Sequence, residues 1–262
     1  MTIISLTTDF GNKDGFVGTL KGVIWKICPE AKIADISHEI SPQNILEGAF
    51  TLWRAYPFFP NGTVHVAVVD PGVGTSRRAI AARLGGQLFV GPDNGLFTPV
   101  YEDAEKNGQI PEIVHLSNRR YFLQEVSHTF HGRDIFAPVA AHLARGVPLG
   151  EFGERITDPV RLTLPKPVRT ATGWRAHITV IDIFGNCTTD IPAGLLTAQE
   201  NIRFHLKGRE VRGISASYGQ NQPGDLIALV DSENYIEVAI VNGNAAKTLG
   251  MQVGDEVEVI TI

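Results

Sequence analysis

The sequence predicts an α/β N-terminal domain with a mostly parallel sheet over residues 1–164, followed by a smaller all-β, barrel-like domain over residues 165–262. Three observations predict this. Up to Arg145, short apolar runs alternate with stretches of helical spacing, as in β-α units around a parallel sheet. Leu164-Pro165-Lys166-Pro167 then places two prolines in a short polar stretch, which suits a linker. Beyond it, strand-like runs are separated by turn residues, and helical patterning is brief.

The elements follow in order. Ile3–Leu6 reads as a strand, closed by Thr7-Thr8-Asp9-Phe10-Gly11. Phe16 to Cys28 has helical spacing, and Pro29 stops it. Lys32–Ile36 is a second strand, and Asn44–Tyr56 a helix ended before Pro57. Val64–Val69 is the strongest strand, running into Asp70-Pro71-Gly72. Ile80–Arg83 and Gln87–Val90 form a hairpin through Gly85-Gly86. Asp134–Arg145 is a helix, with Asp134 as its N-cap and Gly146 at its end. The second domain supplies strands at Trp174–Ile183, Ile202–Leu206, Leu226–Val230, Tyr235–Val241 and Glu256–Ile260.

Composition narrows the function classes. Of 262 residues, 43% are hydrophobic and 19% charged, a globular balance with enough chain for a sizeable core. The formal net charge of −5 argues against nucleic-acid binding driven by bulk charge. Two distant cysteines, Cys28 and Cys187, exclude a disulfide scaffold and a four-cysteine zinc site. No apolar run is long enough to span a membrane. Met1-Thr2-Ile3-Ile4-Ser5 lacks the basic and apolar regions of a secretory signal, so the expected location is the cytoplasm.

Three N-terminal loops concentrate polar residues. In Thr8-Asp9-Phe10-Gly11, a strand-end aspartate suits the hydroxyls of a sugar, and equally a turn or a helix N-cap. The Asp-Phe-Gly triplet is not a kinase motif, because the Gly-rich loop and catalytic-loop spacing are missing. In Asp70-Pro71-Gly72-Val73-Gly74-Thr75-Ser76-Arg77, Asp70 and Arg77 can lie across one turn, either orienting a water or forming a plain salt bridge. In Ser127-His128-Thr129-Phe130-His131-Gly132-Arg133-Asp134, the three-residue spacing of His128, His131 and Asp134 raises a metal site. Gly132 and the lack of an HExxH pattern argue against it, and no metal is expected. In the second domain, Asp182-Ile183-Phe184-Gly185-Asn186 offers an aromatic face and an amide for a heterocycle, or a hairpin turn with a core phenylalanine. Cys187 lacks an adjacent base and reads as a small core residue.

Taken together, these stretches resemble the S-adenosylmethionine hydrolase family, or SAM hydroxide adenosyltransferases, relatives of the fluorinase and chlorinase. The resemblance spans nearly the whole chain. It rests on Thr8-Asp9-Phe10-Gly11 with Asp14, Asp70-Pro71-Gly72-Val73-Gly74 with Arg77, Gly91-Pro92-Asp93-Asn94-Gly95, Thr129-Phe130-His131-Gly132-Arg133-Asp134, Phe184-Gly185-Asn186 and Asn242-Gly243-Asn244-Ala245-Ala246. It implies a homotrimer whose sites lie between one subunit's N-terminal domain and a neighbour's C-terminal domain. It implies S-adenosyl-L-methionine as substrate, no cofactor, and hydrolysis to adenosine and L-methionine by attack on the ribose C5′. The implied catalytic triad is Asp70, Arg77 and His131. Asp9 matches the residue that holds the ribose hydroxyls. Phe184 and Asn186 match those that stack on and bond the adenine, and the backbone near Ala245 closes the adenine edge. Asp182 and Ser232 match holders of the methionine amino and carboxylate groups, with Tyr235 a further candidate contact.

The departures from the halogenases favour water as nucleophile. Those enzymes carry tyrosine at the position of Asp70 and lack the histidine at His131. A carboxylate there repels a halide and tolerates water. The competing readings are a halide-dependent adenosyl transferase and a non-catalytic adenosine-binding module.

Overall fold

Apolar side chains on two sides of one central sheet organise the first unit. The computed structural model describes residues 2–196 and 201–261. The chain folds as two compact units, Met1–Thr163 and Leu164–Ile262.

In the first unit the strands are β1 (Ile3–Thr8), β2 (Lys32–Ser37), β3 (Val64–Val68), β4 (Ala79–Leu84), β5 (Gln87–Pro92), β6 (Glu112–His115) and β7 (Arg155–Ile156). Their order is β2-β1-β3-β5-β4-β6-β7. The β2-β1-β3-β5 half is parallel, and β4, β6 and β7 extend it antiparallel. Every residue of β3 is buried, including His65, which is why it reads as a run of valine and alanine broken by one histidine rather than as a polar alternation. Val64, Val66 and Val68 join one core cluster, while Ala67 and Val69 join the other.

The helices are α1 (Phe16–Ile27), α2 (Ile45–Ala55), α3 (Thr98–Lys106) and α4 (Ala137–Ala144). Leu20 and Ile24 of α1 and the apolar run of α4 cover one face of the sheet. Leu52 of α2 and Val100 and Tyr101 of α3 cover the other. Asn44 caps α2 by accepting from the Glu47 N–H at 3.1 Å, as its position before the apolar pattern predicts. After β1 the chain turns to β2 on one side, and after β2 it returns to β3 on the other. The switch lies between β1 and β3, where crevices open at the carboxyl ends of parallel strands.

One predicted cap is corrected. Asp134 is not the N-cap of a helix starting at Ile135. A π-helical turn over Gly132–Phe136 runs directly into α4, so the helix begins earlier. The carboxylate of Asp134 is buried and turned to Ser127 and Arg133 instead of the helix N–H groups.

The second unit holds β8 (Val168–Arg169), β9 (Gly173–Ile181), β10 (Cys187–Pro192), β11 (Arg203–Leu206), β12 (Arg209–Arg212), β13 (Leu226–Val230), β14 (Tyr235–Ile240), the short helix α5 (Ala245–Leu249) and β15 (Glu256–Ile260). Its antiparallel sheet runs β12-β11-β15-β9-β10-β14-β13, with β8 paired to β9, and curls into a nearly closed barrel. Ile178, Cys187, Phe204, Val238 and Val257 fill its core. Among the described residues, no helix is long and apolar enough to cross a membrane.

Candidate active site

The first site builds from the ends of β1 and β3. Thr8 and Val68 are register partners, so the chain leaves two adjacent parallel strands at Asp9 and Asp70. Asp9 is not a helix cap, since α1 starts after Gly15. Its Oδ2 accepts from the Gln43 N–H at 2.8 Å. Asn94 fixes the end of β3, donating from Nδ2 to the Val69 carbonyl at 2.8 Å.

The loop after β3 folds back on itself. Val73 N–H donates to the Asp70 carbonyl and Thr75 N–H to that of Gly72, both at 3.2 Å. Arg77 is thereby returned to Asp70. Its Nε lies 2.9 Å from Oδ1 and its Nη2 bonds Oδ2, a forked ion pair that little solvent reaches. The guanidinium also sits 5.3 Å from the centre of the Phe136 ring. Its Nη2 reaches Nδ1 of His131 at 2.8 Å.

His131 is held by the loop before α4. Asp134 accepts from the Ser127 N–H at 2.8 Å and its hydroxyl at 2.7 Å, and the Ser127 oxygen accepts from the Phe130 N–H at 3.1 Å. Burial pushes the Asp134 carboxyl up, but the Arg133 cation and the Ser127 bonds outweigh it and hold it below the usual carboxylate range. Gly74 ties this loop to the other one. Its φ is +78°, and a Cβ there would lie 2.3 Å from the His128 carbonyl oxygen. Only glycine permits that approach.

These loops enclose a cavity of about 210 Å³. Asp9, Asp70 and His131 line it, with Phe10, Gln43 and Phe130 among its walls. Burial lowers the His131 pKa first, and the Arg77 cation lowers it further. Asp70, Asp134 and the Ser127 backbone pull the other way without reversing the shift. Among the described residues, no three His, Cys, Asp or Glu side chains are grouped to hold a metal ion.

The second unit carries its own recess, about 560 Å³, lined by Asp182, Phe184, Asn186, Tyr218, Ile240, Asn242 and Gly243. Phe184 is 70% exposed, so it is a presented ring and not a core residue. Asp182 shapes the loop: its Oδ1 accepts from the N–H groups of Phe184 at 2.9 Å and Asn186 at 2.8 Å. Gly185 at φ +84° lets this loop meet the start of α5, where a Cβ would fall 2.1 Å from Asn244 side-chain atoms. The Ala246 N–H donates to the Gly185 carbonyl at 2.9 Å, while the Ala245 side chain is buried beside it. Ser232 and Tyr235 lie in and after the β13–β14 turn, outside the residues lining the recess. The Ser232 hydroxyl donates to Glu233, and the Tyr235 N–H to Asp231. Cys187 is buried, and burial with the neighbouring carboxylates pushes its thiol up to about 12, which removes it as a nucleophile.

Sequence reasoning missed several of these residues. Gln43 has φ +66°, which no glycine announces. Tyr218 stands in a Ser- and Gly-rich stretch that reads as plain loop. Phe10 and Phe130 were findable as the neighbours of Asp9 and His131; their rings meet edge to face at 5.7 Å.

The comparisons with known proteins agree across the chain. Residues 4–153 match the family model of the SAM hydroxide adenosyltransferase N-terminal domain, and residues 176–258 that of the C-terminal domain. The chain is 40% identical over 259 residues to the (R)-S-adenosyl-L-methionine hydrolase of Salinispora tropica, covering 98% of this chain and 97% of that protein. It is 38% identical over 273 residues to the (R)-S-adenosyl-L-methionine hydrolase of Methanocaldococcus jannaschii, with 99% and 96% covered. Among solved structures, an uncharacterized conserved protein from Thermotoga maritima superposes with a TM-score of 0.90 at 39% identity, covering 98% of this chain and 99% of that one.

Proposed function

The chain belongs to the SAM hydroxide adenosyltransferase family, and from that premise we propose that it hydrolyses S-adenosyl-L-methionine to adenosine and L-methionine by attack of water or hydroxide on the ribose C5′. The observation that carries the reading is the Asp70–Arg77–His131 chain of hydrogen bonds beside a cavity that Asp9 also lines.

The chemistry asks little of an acid catalyst. A sulfonium leaves as a neutral thioether, taking the C5′–S electron pair. What remains is to align a water with that bond and remove its proton. Arg77 keeps the Asp70 carboxylate in place, and that carboxylate accepts the proton as the C5′–O bond forms. The Nδ1 lone pair of His131 is occupied by Arg77, so the imidazole steadies the guanidinium rather than acting through that nitrogen. Asp9 binds the ribose hydroxyls. Phe184 stacks on the adenine, Asn186 bonds its edge, and the backbone near Ala245 closes it. By likeness to the family alone, Asp182, Ser232 and Tyr235 are assigned to the methionine portion, with Asp182 also shaping the Phe184–Asn186 loop. No metal or cofactor takes part. A carboxylate beside the nucleophile disfavours halide, so water is the acceptor.

Two further parts of the reading rest on likeness. The protein is a cytoplasmic homotrimer, in which one subunit's first unit and a neighbour's second unit complete each site. Its preferred substrate is the (R)-sulfonium epimer, as the names of its relatives suggest.

The test is incubation of the purified protein with S-adenosyl-L-methionine in ¹⁸O-labelled water. Adenosine carrying the label at its 5′-oxygen, with methionine in equal amount, is the expected product. Absence of adenosine refutes the reading. A 5′-chloro nucleoside in excess chloride would assign the halide reaction instead.

A further inference from the structure

The amide of Asn186 is held from two sides, and both holders dictate which way it faces. Its Nδ2 lies 3.0 Å from Asp182 Oδ2, and a carboxylate oxygen only accepts. The same Nδ2 lies 3.2 Å from the Tyr218 hydroxyl. That hydroxyl donates its own proton to Glu237 Oε1, a buried group on β14, and is left to accept from Asn186. Both amide hydrogens are therefore used within the protein. Reversing the amide would set its oxygen against the Asp182 carboxylate.

The Tyr218 ring lines the same recess as Phe184 and Asn186. Its position is itself fixed: it begins a short 3₁₀ turn, Tyr218–Gln220, and the Asn221 side chain donates to the Ser217 carbonyl at 3.0 Å across that turn. Beside its apolar faces, and with Asp182 and Asn242 also in its lining, the recess thus holds Asn186 with Oδ1 as an acceptor of fixed orientation. Such a site accepts a flat base with an outward N–H donor and meets a carbonyl with repulsion.

We infer that the Glu237–Tyr218 pair is a positioning device that locks Asn186 as an acceptor and so makes the enzyme selective for 6-amino over 6-oxo purine substrates. The inference rests on the proposed placement of the adenine in this recess. Tyr218 and Glu237 act through Asn186, without themselves reading the base.

The experiment compares S-adenosyl-L-methionine with its 6-oxo counterpart, S-inosyl-L-methionine, on the intact protein. The wild type should prefer the 6-amino substrate at least tenfold in kcat/KM, about what one oriented hydrogen bond set against a repelled carbonyl supplies. Tyr218→Phe keeps the ring and removes the hydroxyl. Glu237→Met keeps the tyrosine and the length of the side chain and removes the oxygens that orient its hydroxyl. In each variant the preference should shrink severalfold through a raised KM for the 6-amino substrate alone, with kcat little changed. A purely structural role would slow both substrates equally. An unchanged ratio in both variants therefore overturns the inference, as does a wild type that does not discriminate.

Calorimetric titration with adenosine and inosine separates this from the reaction itself. If neither sulfonium substrate is hydrolysed, yet adenosine binds more tightly than inosine and Tyr218→Phe narrows that gap, the hydrolase reading fails and the lock stands. Equal narrowing in a variant that has lost its thermal transition is set aside by Glu237→Met, which must reproduce the effect in a folded protein or the inference falls.

Discussion

The Nη2 of Arg77 lies 2.8 Å from Nδ1 of His131. A guanidinium only donates, so the imidazole must receive with a lone pair and is neutral, with its proton on Nε2. Burial and the Arg77 cation both keep it so by lowering its pKa. Protonation of His131 would set two cations face to face.

Activity should therefore hold as the pH falls through the ordinary histidine range and drop only below it. The sign follows from the lowered pKa: the folded protein resists a proton that the unfolded chain accepts, so acid also destabilises the fold, beginning near the unfolded value of about 6.5. His131→Asn keeps an acceptor toward Arg77 and removes the titration. Its pH–rate profile should lose that acid limb. A limb that stays in place in the variant assigns it to another group.

Asp70→Ala should lower kcat by about 10²–10⁴-fold, the range for removing a positioned proton acceptor. Adenosine binding should persist, because the base and ribose contacts proposed above lie at Phe184, Asn186 and Asp9. Full turnover in this variant would remove Asp70 from the chemistry. The stripped arginine is a second cost, since Arg77 loses its partner in a nearly solvent-free place.

Much of this was legible in the sequence because it is local. Val64–Val69 announces a buried parallel strand, and β3 is buried throughout. Asp9 and Asp70 follow strand-like runs directly, so their placement in one crevice needed only the strand order. The parts that were hidden depend on tertiary partners. β10 reads Cys-Thr-Thr-Asp-Ile-Pro, and its Thr188, Thr189 and Asp190 are buried in the barrel wall, so no apolar alternation marks it. α3 carries Pro99 in its first turn and four charged residues, a poor apolar pattern whose buried side is Val100, Tyr101 and Ala104. Asp134 looks like a cap by position, and only the Ser127 loop packed over it reveals the other use. Tyr218 and Glu237 are nineteen residues apart, joined by the barrel's curl.

Gly74→Ala should cost more than a strained φ alone. The left-handed backbone accounts for about 1 kcal/mol, and Gly108→Ala, at φ +69° with open space around it, measures that part. At Gly74 the added methyl also meets the His128 carbonyl, so the total should reach about 2–3 kcal/mol. Denaturant unfolding of both variants gives the difference. The Gly74 variant should also lose activity, because the displaced loops carry Arg77 and His131. Equal stabilities for the two variants would show that the loops part without cost.

Phe184→Ala should leave stability within about 0.5 kcal/mol, as expected for an exposed side chain. Its effect should fall on KM, which rises about 10–100-fold if the ring stacks on a base at the usual 1–3 kcal/mol. Steady-state kinetics alongside a thermal melt separates the two. A KM unchanged from wild type would place the adenine elsewhere.

The trimer with shared sites proposed above can be tested by mixing damaged subunits. Asp70→Ala damages the first unit, and the Phe184→Ala/Asn186→Ala double variant damages the second. Each alone should be nearly inactive at low substrate concentration. In mixed trimers, a site that draws its first unit from the double variant and its second unit from the Asp70 variant is whole. Every mixed trimer, whichever variant is in the majority, has one neighbour contact in the required order, so about a third of the sites are whole once the parent trimers are removed. Co-expression with two different tags, purification through both, and assay below KM should therefore recover a substantial fraction of wild-type activity. If instead each site lies within one subunit, no mixed trimer contains an intact site, and the doubly purified protein stays as inactive as its parents.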